Sequence, residues 1–409
     1  MGGGLLQLVA YGAQDVYLTG NPQITFFKVV YRRHTNFSLE SIQQTFNGNA
    51  ELGNRVTCQI SRNGDLVHKL YLQIKAVAGS TAIYLQPFYG YRMIKHTELE
   101  IGGQRIDKQY GEWMYIWNEL TMDQGKKEGY YEMVGGNSAN KSVELKDKTI
   151  DLYIPLEFWF CRNVGLALPL IALQYHEVKV NIEFNSMENI RATNQDDALA
   201  SDSTITVQDS QEDFESFSAT LWADYIFLDT DERKRFAQLS HEYLIEQLQF
   251  TGTETITANT VKASRLSFNH PCKELIWAVR PEPDITGCNV NWNNFTNAAD
   301  NNTIKDNLIT TAKLQLNGND RFAERDGKYF SLVQPYQHHN NIPVNQGINV
   351  YSFALKPEEH QPSGTLNMSR IDTAQLQVKS SKSGELFVYA VNYNVLRILS
   401  GMGGLAYSN

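Results

Sequence analysis

Cysteine and positive charge are both scarce in this chain. Its four cysteines lie far apart among 409 residues and form no Cys-x-x-Cys pair. This spacing excludes a zinc knuckle and argues against a disulfide framework, so we expect reduced thiols in a cytoplasmic setting. The net charge is −9, whereas a protein that binds nucleic acid through its phosphates needs a basic surface. We therefore expect no direct contact with nucleic acid.

Long apolar runs are also missing. The longest, residues 164–173, is interrupted by Pro169 and is about half of the ~20 residues that a membrane-spanning helix needs. The N-terminus lacks the basic region of a secretory signal. Leu6 stands where a myristoylation motif requires Ser or Thr. The sequence thus predicts a soluble chain without a leader or a lipid anchor.

The common catalytic and metal-binding motifs are incomplete. The His-Glu pairs at 176–177 and 241–242 resemble half of a zinc-protease motif, but Val180 and Ile245 occupy the place of the second histidine. No phosphate loop and no Gly-x-Ser-x-Gly elbow occurs. We predict no catalytic residue, no cofactor and no metal site.

One adjacent histidine pair, His338-His339, is a weaker metal candidate. Neighbouring residues of a strand point to opposite faces, so a shared ion would need a loop and further ligands. A polar loop that also contains Gln334, Gln337 and Asn340 is the favoured interpretation.

Aromatic residues are abundant, with 21 Tyr, 19 Phe and 6 Trp, and they favour β-structure. Apolar and polar residues alternate with a period of two over residues 66–76, 178–184, 219–227 and 386–399, as in half-buried strands. The phase of the alternation slips within residues 36–46, which predicts a β-bulge there.

Helical patterns are few. A helix packed against the sheets, rather than a binding helix, is predicted by apolar residues spaced four, three, four and three apart: Ile106, Tyr110, Trp113, Trp117 and Leu120. A shorter helix is predicted to begin near Asp229, which has capping-box spacing to Glu232. Its place near the middle of the chain makes it the candidate link between two domains.

Two domains are expected because single hydrophobic cores stop growing near ~250–300 residues. Residues 99–106 resemble residues 314–322, since both have a strand, a glycine turn, an arginine and an apolar residue. Residues 65–72 have a looser counterpart in residues 273–279 at a similar offset. The repeat suggests duplicated β-sandwich domains, and jelly rolls are one form of such sandwiches.

The sequence resembles the major capsid proteins of nucleocytoplasmic large DNA viruses, closest to those of chlorella viruses (phycodnaviruses). Residues 11–28, YGAQDVYLTGNPQITFFK, resemble the N-terminal arm of these proteins. Further similar blocks are residues 59–66, 99–108, 165–178, 224–230, 241–252, 361–365 and 392–407. The likeness runs from end to end, and it is specific because the blocks are long and in order.

The resemblance implies an all-β fold, a double jelly roll of two tandem eight-stranded β-sandwiches with short helical insertions. The implied division is an N-terminal arm (residues 1–26), a first jelly roll (27–230), a linker (231–240), a second jelly roll (241–400) and a C-terminal tail (401–409). The implied function is that of a structural capsid subunit and not an enzyme. Homotrimers would form pseudo-hexagonal capsomers in the virion capsid, near an internal viral membrane but not inserted in it, with neighbouring capsomers and minor capsid proteins as partners. Synthesis and assembly would take place in the host cytoplasm.

Relatives from chlorella viruses carry glycans on outward loops, which we expect to be longer there than in this chain. The stretch between Gln377 and Phe387 is especially short. Among five Asn-x-Ser/Thr sequons, Asn294 and Asn301 are the glycosylation candidates because they lie in the most polar stretch, residues 289–307.

Two alternatives remain open at this stage. A carbohydrate-binding β-sandwich could use Trp292 beside Phe295 to stack on sugar rings, although packing within a loop explains the pair equally well. A minor or paralogous capsid component of the same fold is the second alternative.

Overall fold

The computed structural model describes residues 3–136, 143–192, 214–282, 292–297 and 306–407. The chain forms two compact units, Met1–Phe37 and Ser38–Asn409. The first unit contains helices α1 (Gly3–Val9) and α2 (Val16–Thr19), and Asp15 Oδ2 accepts a hydrogen bond from Gly12 N at 2.8 Å.

The second unit is mostly antiparallel β-sheet with short helices between strands. Its helices are α3 (Tyr89–Met93), α4 (Gly111–Thr121), α5 (Lys127–Val134), α6 (Trp159–Arg162), α7 (Thr230–Gln238) and α8 (Gln334–His338), with a π-helix at Tyr329–Val333 and 3-10 turns at Gln124–Lys126, Val164–Leu166, Met187–Asn189 and Met368–Arg370.

The strands divide into an N-terminal and a C-terminal set. The first set is β1 (Phe37–Gln44), β2 (Phe46–Asn47), β3 (Arg55–Gln59), β4 (Leu66–Val77), β5 (Ile83–Leu85), β6 (Ile94–Ile101), β7 (Gln104–Tyr110), β8 (Val143–Leu145), β9 (Thr149–Pro155), β10 (Leu168–Pro169), β11 (Val178–Phe184) and β12 (Ser216–Leu228). The second set is β13 (His241–Ile256), β14 (Val261–Leu266), β15 (Pro271–Pro281), β16 (Ile309–Leu316), β17 (Asn319–Asp320), β18 (Arg325–Asp326), β19 (Asn349–Ser352), β20 (Leu366–Asn367), β21 (Ala374–Ser380), β22 (Gly384–Leu399) and β23 (Met402–Leu405).

Four sheets make two sandwiches. Sheet A has the order β1-β12-β4-β10, with β9 also paired to β4, and it faces sheet B, ordered β2-β3-β11-β6-β7. Sheet C has the order β13-β22-β15-β19, with β20 and β23 at its margins, and it faces sheet D, ordered β14-β21-β16-β17 with β18 beside β16. Within each sandwich, the eight main strands numbered in chain order form one sheet of order 1-8-3-6 and another of order 2-7-4-5. Both sandwiches therefore have the jelly-roll order, and the predicted double jelly roll is confirmed.

The internal repeat falls on equivalent strands of the two sandwiches. Residues 99–106 lie on the β6–β7 hairpin and residues 314–322 on the β16–β17 hairpin, which join the fourth and fifth strands. Both turns need left-handed backbone: φ is 58° at Gly102 and 49° at Asn317. Glycine and asparagine tolerate this conformation best, which explains why the repeat survives most clearly there.

The two predicted helices are present, with corrections. Helix α4 begins only at Gly111, because Ile106 and Tyr110 belong to strand β7. It is buried on nearly all sides rather than amphipathic. Helix α7 begins after Asp229 as predicted, and the Asp229 side chain accepts a hydrogen bond from Thr230 N. Among the described residues, no helix is long and apolar enough to cross a membrane.

The phase slip within residues 36–46 coincides with a change of sheet. Strand β1 belongs to sheet A, whereas β2, which follows one residue later, pairs with β3 in sheet B. A strand that crosses from one sheet of a sandwich to the other must exchange its inward and outward faces. The structure thus accounts for the slip by this crossing.

Candidate functional site at the junction of the two sandwiches

Sheet C is buried on both faces. On β15, Trp277 and Val279 belong to the core of the second sandwich, whereas Ile276 and Ala278 belong to the core of the first. Strand β22 repeats this alternation, since Val388 faces the second core and its neighbours on either side face the first. Strands buried on both faces have nearly continuous apolar sequences, which explains residues 274–279, ELIWAV. The core of the first jelly roll therefore extends onto the outer face of sheet C, whose inner face belongs to the core of the second.

Helix α4 of the first sandwich contributes the largest side chains to this junction. Trp113 is 1% exposed and its ring centroid lies 5.3 Å from that of Tyr389 on β22. On its other side Trp113 stacks on Trp117, with centroids 5.6 Å apart. The Tyr389 hydroxyl donates a hydrogen bond to Glu112 Oε2 at 3.1 Å. Burial of one such tryptophan contributes on the order of 4 kcal/mol to the free energy of unfolding.

Buried charges cross the junction beside Trp117. Arg162 of α6 lies over the Trp117 ring, 4.2 Å from its centroid, and pairs with Glu246 of β13 at 3.1 Å. Lys273 of β15 approaches the other Glu246 oxygen at 2.8 Å. Burial alone would raise the pKa of Glu246, but the imidazole of His360 at 3.7 Å and the charges of Lys273 and Arg162 outweigh burial and lower the pKa to about 2. Glu246 is therefore a carboxylate at every physiological pH and neutralises cations from both sandwiches.

A second ion pair joins the first turn of α4 to strand β15. Arg280 of β15, only 1% exposed, pairs with Glu112 of the first sandwich. Its guanidinium carbon lies 3.8 Å from the centroid of the Trp292 ring, and that of Arg92 lies 3.6 Å from the same ring. Trp292 is thus in contact with two cations, and Phe295 is fully buried. These aromatic residues serve packing at the junction, and the structure offers no support for sugar stacking by them.

Hydrogen bonds between side chains and backbone groups also connect the sandwiches. Asp107 of β7 accepts a hydrogen bond from Leu248 N on β13 at 3.1 Å, and burial raises its pKa. The side chain of Gln247 donates to the carbonyl of Ile106. Strand β13 is therefore bound to the first sandwich through both side chains and backbone.

The glycine-rich tail completes the junction. Strand β23 pairs with β22, and Leu405 N donates to Gln104 Oε1 of the first sandwich at 3.2 Å. His176 Nδ1 lies 2.9 Å from the carbonyl oxygen of Gly403. A Cβ at Gly403 would stand 2.7 Å from Leu173 Cδ2, so a larger residue would have to displace that leucine side chain.

The histidine pair lies at the end of helix α8. His338 ends helix α8, and Pro335 occupies its first turn, where the missing N–H costs nothing. His339 is buried, with Nε2 2.8 Å from Glu274 and Nδ1 2.8 Å from Glu358. Burial would lower the pKa of His339, but the two carboxylates outweigh burial and raise it to about 9. Helix α8 thus replaces the predicted loop as far as His338, whereas His339 lies in the bend that follows and holds together three segments of the second sandwich.

Family models match nearly the whole chain. Residues 25–229 match the major capsid protein N-terminus, and residues 232–404 match the large eukaryotic DNA virus major capsid protein. The chain belongs to this family. As a member of it, the chain is a structural protein of a viral capsid.

Individual capsid proteins agree with this assignment. The major capsid protein of Pyramimonas orientalis virus is 53% identical, and that of Paramecium bursaria Chlorella virus 1 is 45% identical; both alignments cover 100% of each chain. The PBCV-1 VP54 crystal structure matches with a TM-score of 0.78 and 40% identity over 94% of this chain and 100% of that one. The Faustovirus major capsid protein shares the fold, with a TM-score of 0.76 at 13% identity.

The chain is shorter than its alignment with the chlorella-virus relative. Their alignment extends over 458 residues, whereas the chain has 409. Strands β21 and β22 are joined by only three residues, 381–383, which agrees with the short stretch noted between Gln377 and Phe387.

Of the two predicted glycosylation residues, only Asn294 lies within the described part of the chain. Asn294 is half-buried, and its Oδ1 accepts hydrogen bonds from Thr296 N and Oγ1 at 3.1 and 2.8 Å. Asn301 lies outside the described residues, as does Cys288. The other cysteines, Cys58, Cys161 and Cys272, are free thiols, as predicted. Within the described ranges, no group of three or more His, Cys, Asp or Glu residues could hold a metal ion.

Sequence reasoning missed the charges at the junction. Lys273, Glu274 and Arg280 stand within the apolar β15, and all three are buried. Charged residues are almost never fully buried unless paired, so charges inside an apolar strand were the available signal. The pairing of Arg280 with Glu112, and of Glu246 with Arg162, could not be predicted, because Glu112 and Arg162 come from the other sandwich.

Proposed function

We propose that this capsid protein acts as a homotrimer that forms pseudo-hexagonal capsomers. The observation that carries the proposal is the pair of sandwiches with identical strand order, joined across sheet C. One chain supplies two equivalent blocks, so three chains supply six around a closed ring. Cyclic oligomers built from one repeated heterologous contact close in this way.

The proposal extends to partners and location. Neighbouring capsomers and minor capsid proteins would contact the loops, and the protein would lie near an internal viral membrane without entering it. No nucleic-acid contact and no catalytic role are included, in line with the net charge of −9 and with the capsid proteins that the chain resembles. Synthesis and assembly would occur in the host cytoplasm. The proposed division is an arm over residues 1–26, jelly rolls over 27–230 and 241–400, a linker over 231–240 and a tail over 401–409.

The oligomeric state tests the proposal directly. Purified protein at micromolar concentration should have three times the mass of the chain in size-exclusion chromatography with multi-angle light scattering. Obligate interfaces bury ~2,000 Å² or more, so dilution should not dissociate the trimer readily. A stable monomer with no larger species would contradict the proposal.

Copy number distinguishes a main subunit from a minor component of the same fold. Quantitative mass spectrometry of purified virions should find this chain to be the most abundant shell protein. A few dozen copies per virion would assign it to a minor role.

Asn294 and Asn301 remain the proposed glycosylation sites. Glycopeptide mass spectrometry of virion protein should find glycan mass on one or both. A glycan on Asn294 would attach to Nδ2 of a half-buried side chain, so we expect incomplete occupancy there. Unmodified peptides at both positions would refute the assignment.

A further inference from the structure

The junction inside the chain follows a simple rule. The segment between the fifth and sixth strands of the first sandwich contains α4, and this helix covers the outer face of the sheet of order 1-8-3-6 in the second sandwich. In the second sandwich, the equivalent segment lies between the fifth and sixth strands, β17 and β19. In the first sandwich, the sheet of order 1-8-3-6 is sheet A, which has an outer face of its own.

The second inserted segment has the character of an interface. It contains the π-helix Tyr329–Val333 and helix α8, and its residues 329–348 include no Asp, Glu, Lys or Arg. Tyr336 is 76% exposed, and Val333, three residues earlier on the same helical face, is also exposed. Leu355, exposed as well, lies close by, since its carbonyl is 3.0 Å from His338 Nδ1. Depletion of charge together with exposed aromatic and aliphatic side chains is typical of interface centres.

The outer face of sheet A presents aromatic rings among polar and charged side chains such as the exposed pair Lys75–Asp151. Trp222 of β12 stands opposite Tyr71 of β4, which stands opposite Pro155 of β9. In the next row Gln73 stands opposite Tyr153, which is 41% exposed. Gln73 accepts a hydrogen bond from Trp222 Nε1 at 2.9 Å and donates one to the Tyr153 hydroxyl at 2.8 Å. This row lies on strands three, six and eight, on the outward face of its sheet, as Ile276, Val350 and Tyr389 do on sheet C.

We propose that residues 329–348 of one copy dock on the outer face of sheet A of a second copy, with Tyr336 against Trp222 and Tyr153. This contact rests on the proposed trimer and deepens it, because it names the two surfaces that meet. It repeats between chains the contact that α4 makes with sheet C within a chain. Three such contacts and three internal junctions then alternate around the ring.

Photo-crosslinking tests the location of the contact. Benzoylphenylalanine at position 336, in a mixture of unlabelled and ¹⁵N-labelled chains, should give mixed-isotope crosslinks to residues 149–155 or 216–228. Crosslinks confined to one isotope, or to sheets C and D of another copy, would overturn the proposed contact while the trimer itself stood. A wild-type protein that is monomeric would overturn both the trimer and the contact.

Substitutions test its energetic importance. Tyr336→Asp should weaken trimer association by about 30-fold or more, as loss of a central interface aromatic does. Tyr175→Asp is the matched control, because Tyr175 is 75% exposed and lies outside both surfaces; its trimer should be unchanged. Adding Tyr153→Lys to Tyr336→Asp should restore part of the association. Equal effects of Tyr336→Asp and Tyr175→Asp, or no rescue by Tyr153→Lys, would contradict the contact. Far-UV circular dichroism of each variant shows whether it is folded.

Discussion

Glu246 is the residue on which the charges of the junction converge. It faces one arginine from the first sandwich and one lysine from the second, and its own environment is nearly dry. A buried pair of this kind adds little net stability over an apolar substitute, but removal of one partner leaves uncompensated charge. Its contribution is therefore better described as a constraint on how the sandwiches fit.

Glu246→Gln should lower the free energy of unfolding by about 3–5 kcal/mol, because Arg162 and Lys273 lose their shared carboxylate. Urea denaturation followed by tryptophan fluorescence measures the change. Glu242→Gln, on the same strand, is the control: Glu242 pairs with Arg397 at 2.8 Å, but both side chains are exposed, so the loss should stay below about 1 kcal/mol. Similar losses for the two variants would refute this account of the junction.

His339 should make stability depend on pH in the alkaline range. Its pKa is raised to about 9 from an unfolded value near 6.5. A raised pKa in the folded state means that the contribution is fully present below pH ~6.5 and is lost as pH rises through ~9, on the order of 3 kcal/mol. Chemical denaturation of wild type between pH 6 and 9.5 should show this decline, and His339→Gln should flatten it. An unchanged pH profile in the variant would contradict the role of Glu274 and Glu358 as partners of a charged imidazole.

At the scale of the elements, strands were easier to predict than helices. Alternation places Leu70, Leu72 and Ile74 of β4 in the core as expected, because period two reports directly on one buried face. The α4 prediction failed at its start, because Ile106 and Tyr110 fit a helical spacing while they lie on β7. Whether a helix is buried on one side or all round depends on the domain that covers it, and no local pattern contains that information.

Trp113→Ala should lower the free energy of unfolding by about 3–5 kcal/mol, since it removes the largest α4 side chain from the core of the first sandwich. Trp113→Phe, which keeps a ring against Tyr389, should cost less than half as much. Thermal denaturation of both variants at equal protein concentration measures the difference. Equal losses would mean that the contact with β22 is unimportant.

At the scale of the whole molecule, the repeat predicted the duplication and the family resemblance predicted the double jelly roll, but neither predicted the junction. The repeat around Gly102 and Gly318 marked equivalent hairpins, because turns with positive φ restrict sequence locally. Pairs such as Arg162 with Glu246 are far apart in sequence, and only the packed chain brings them together.

Calorimetry of the full chain should show one cooperative unfolding transition. Sheet C belongs to both cores, so neither sandwich can lose its packing while the other keeps its own. Two well-separated transitions, each with about half of the enthalpy, would show that the sandwiches unfold independently. Glu246→Gln is informative here too, because a single transition at lower temperature is expected rather than a split one.

Sheet C also determines how the subunit responds to load. Strand β22 is bonded to β13, β15 and β23 at once, and its two faces lie in different cores. A force that pulls the sandwiches apart must shear this strand from its neighbours or tear α4 from its surface, and no hinge between the sandwiches can relieve it. A shell built from such blocks would bend at the contacts between subunits and fail there first, while each subunit stays rigid.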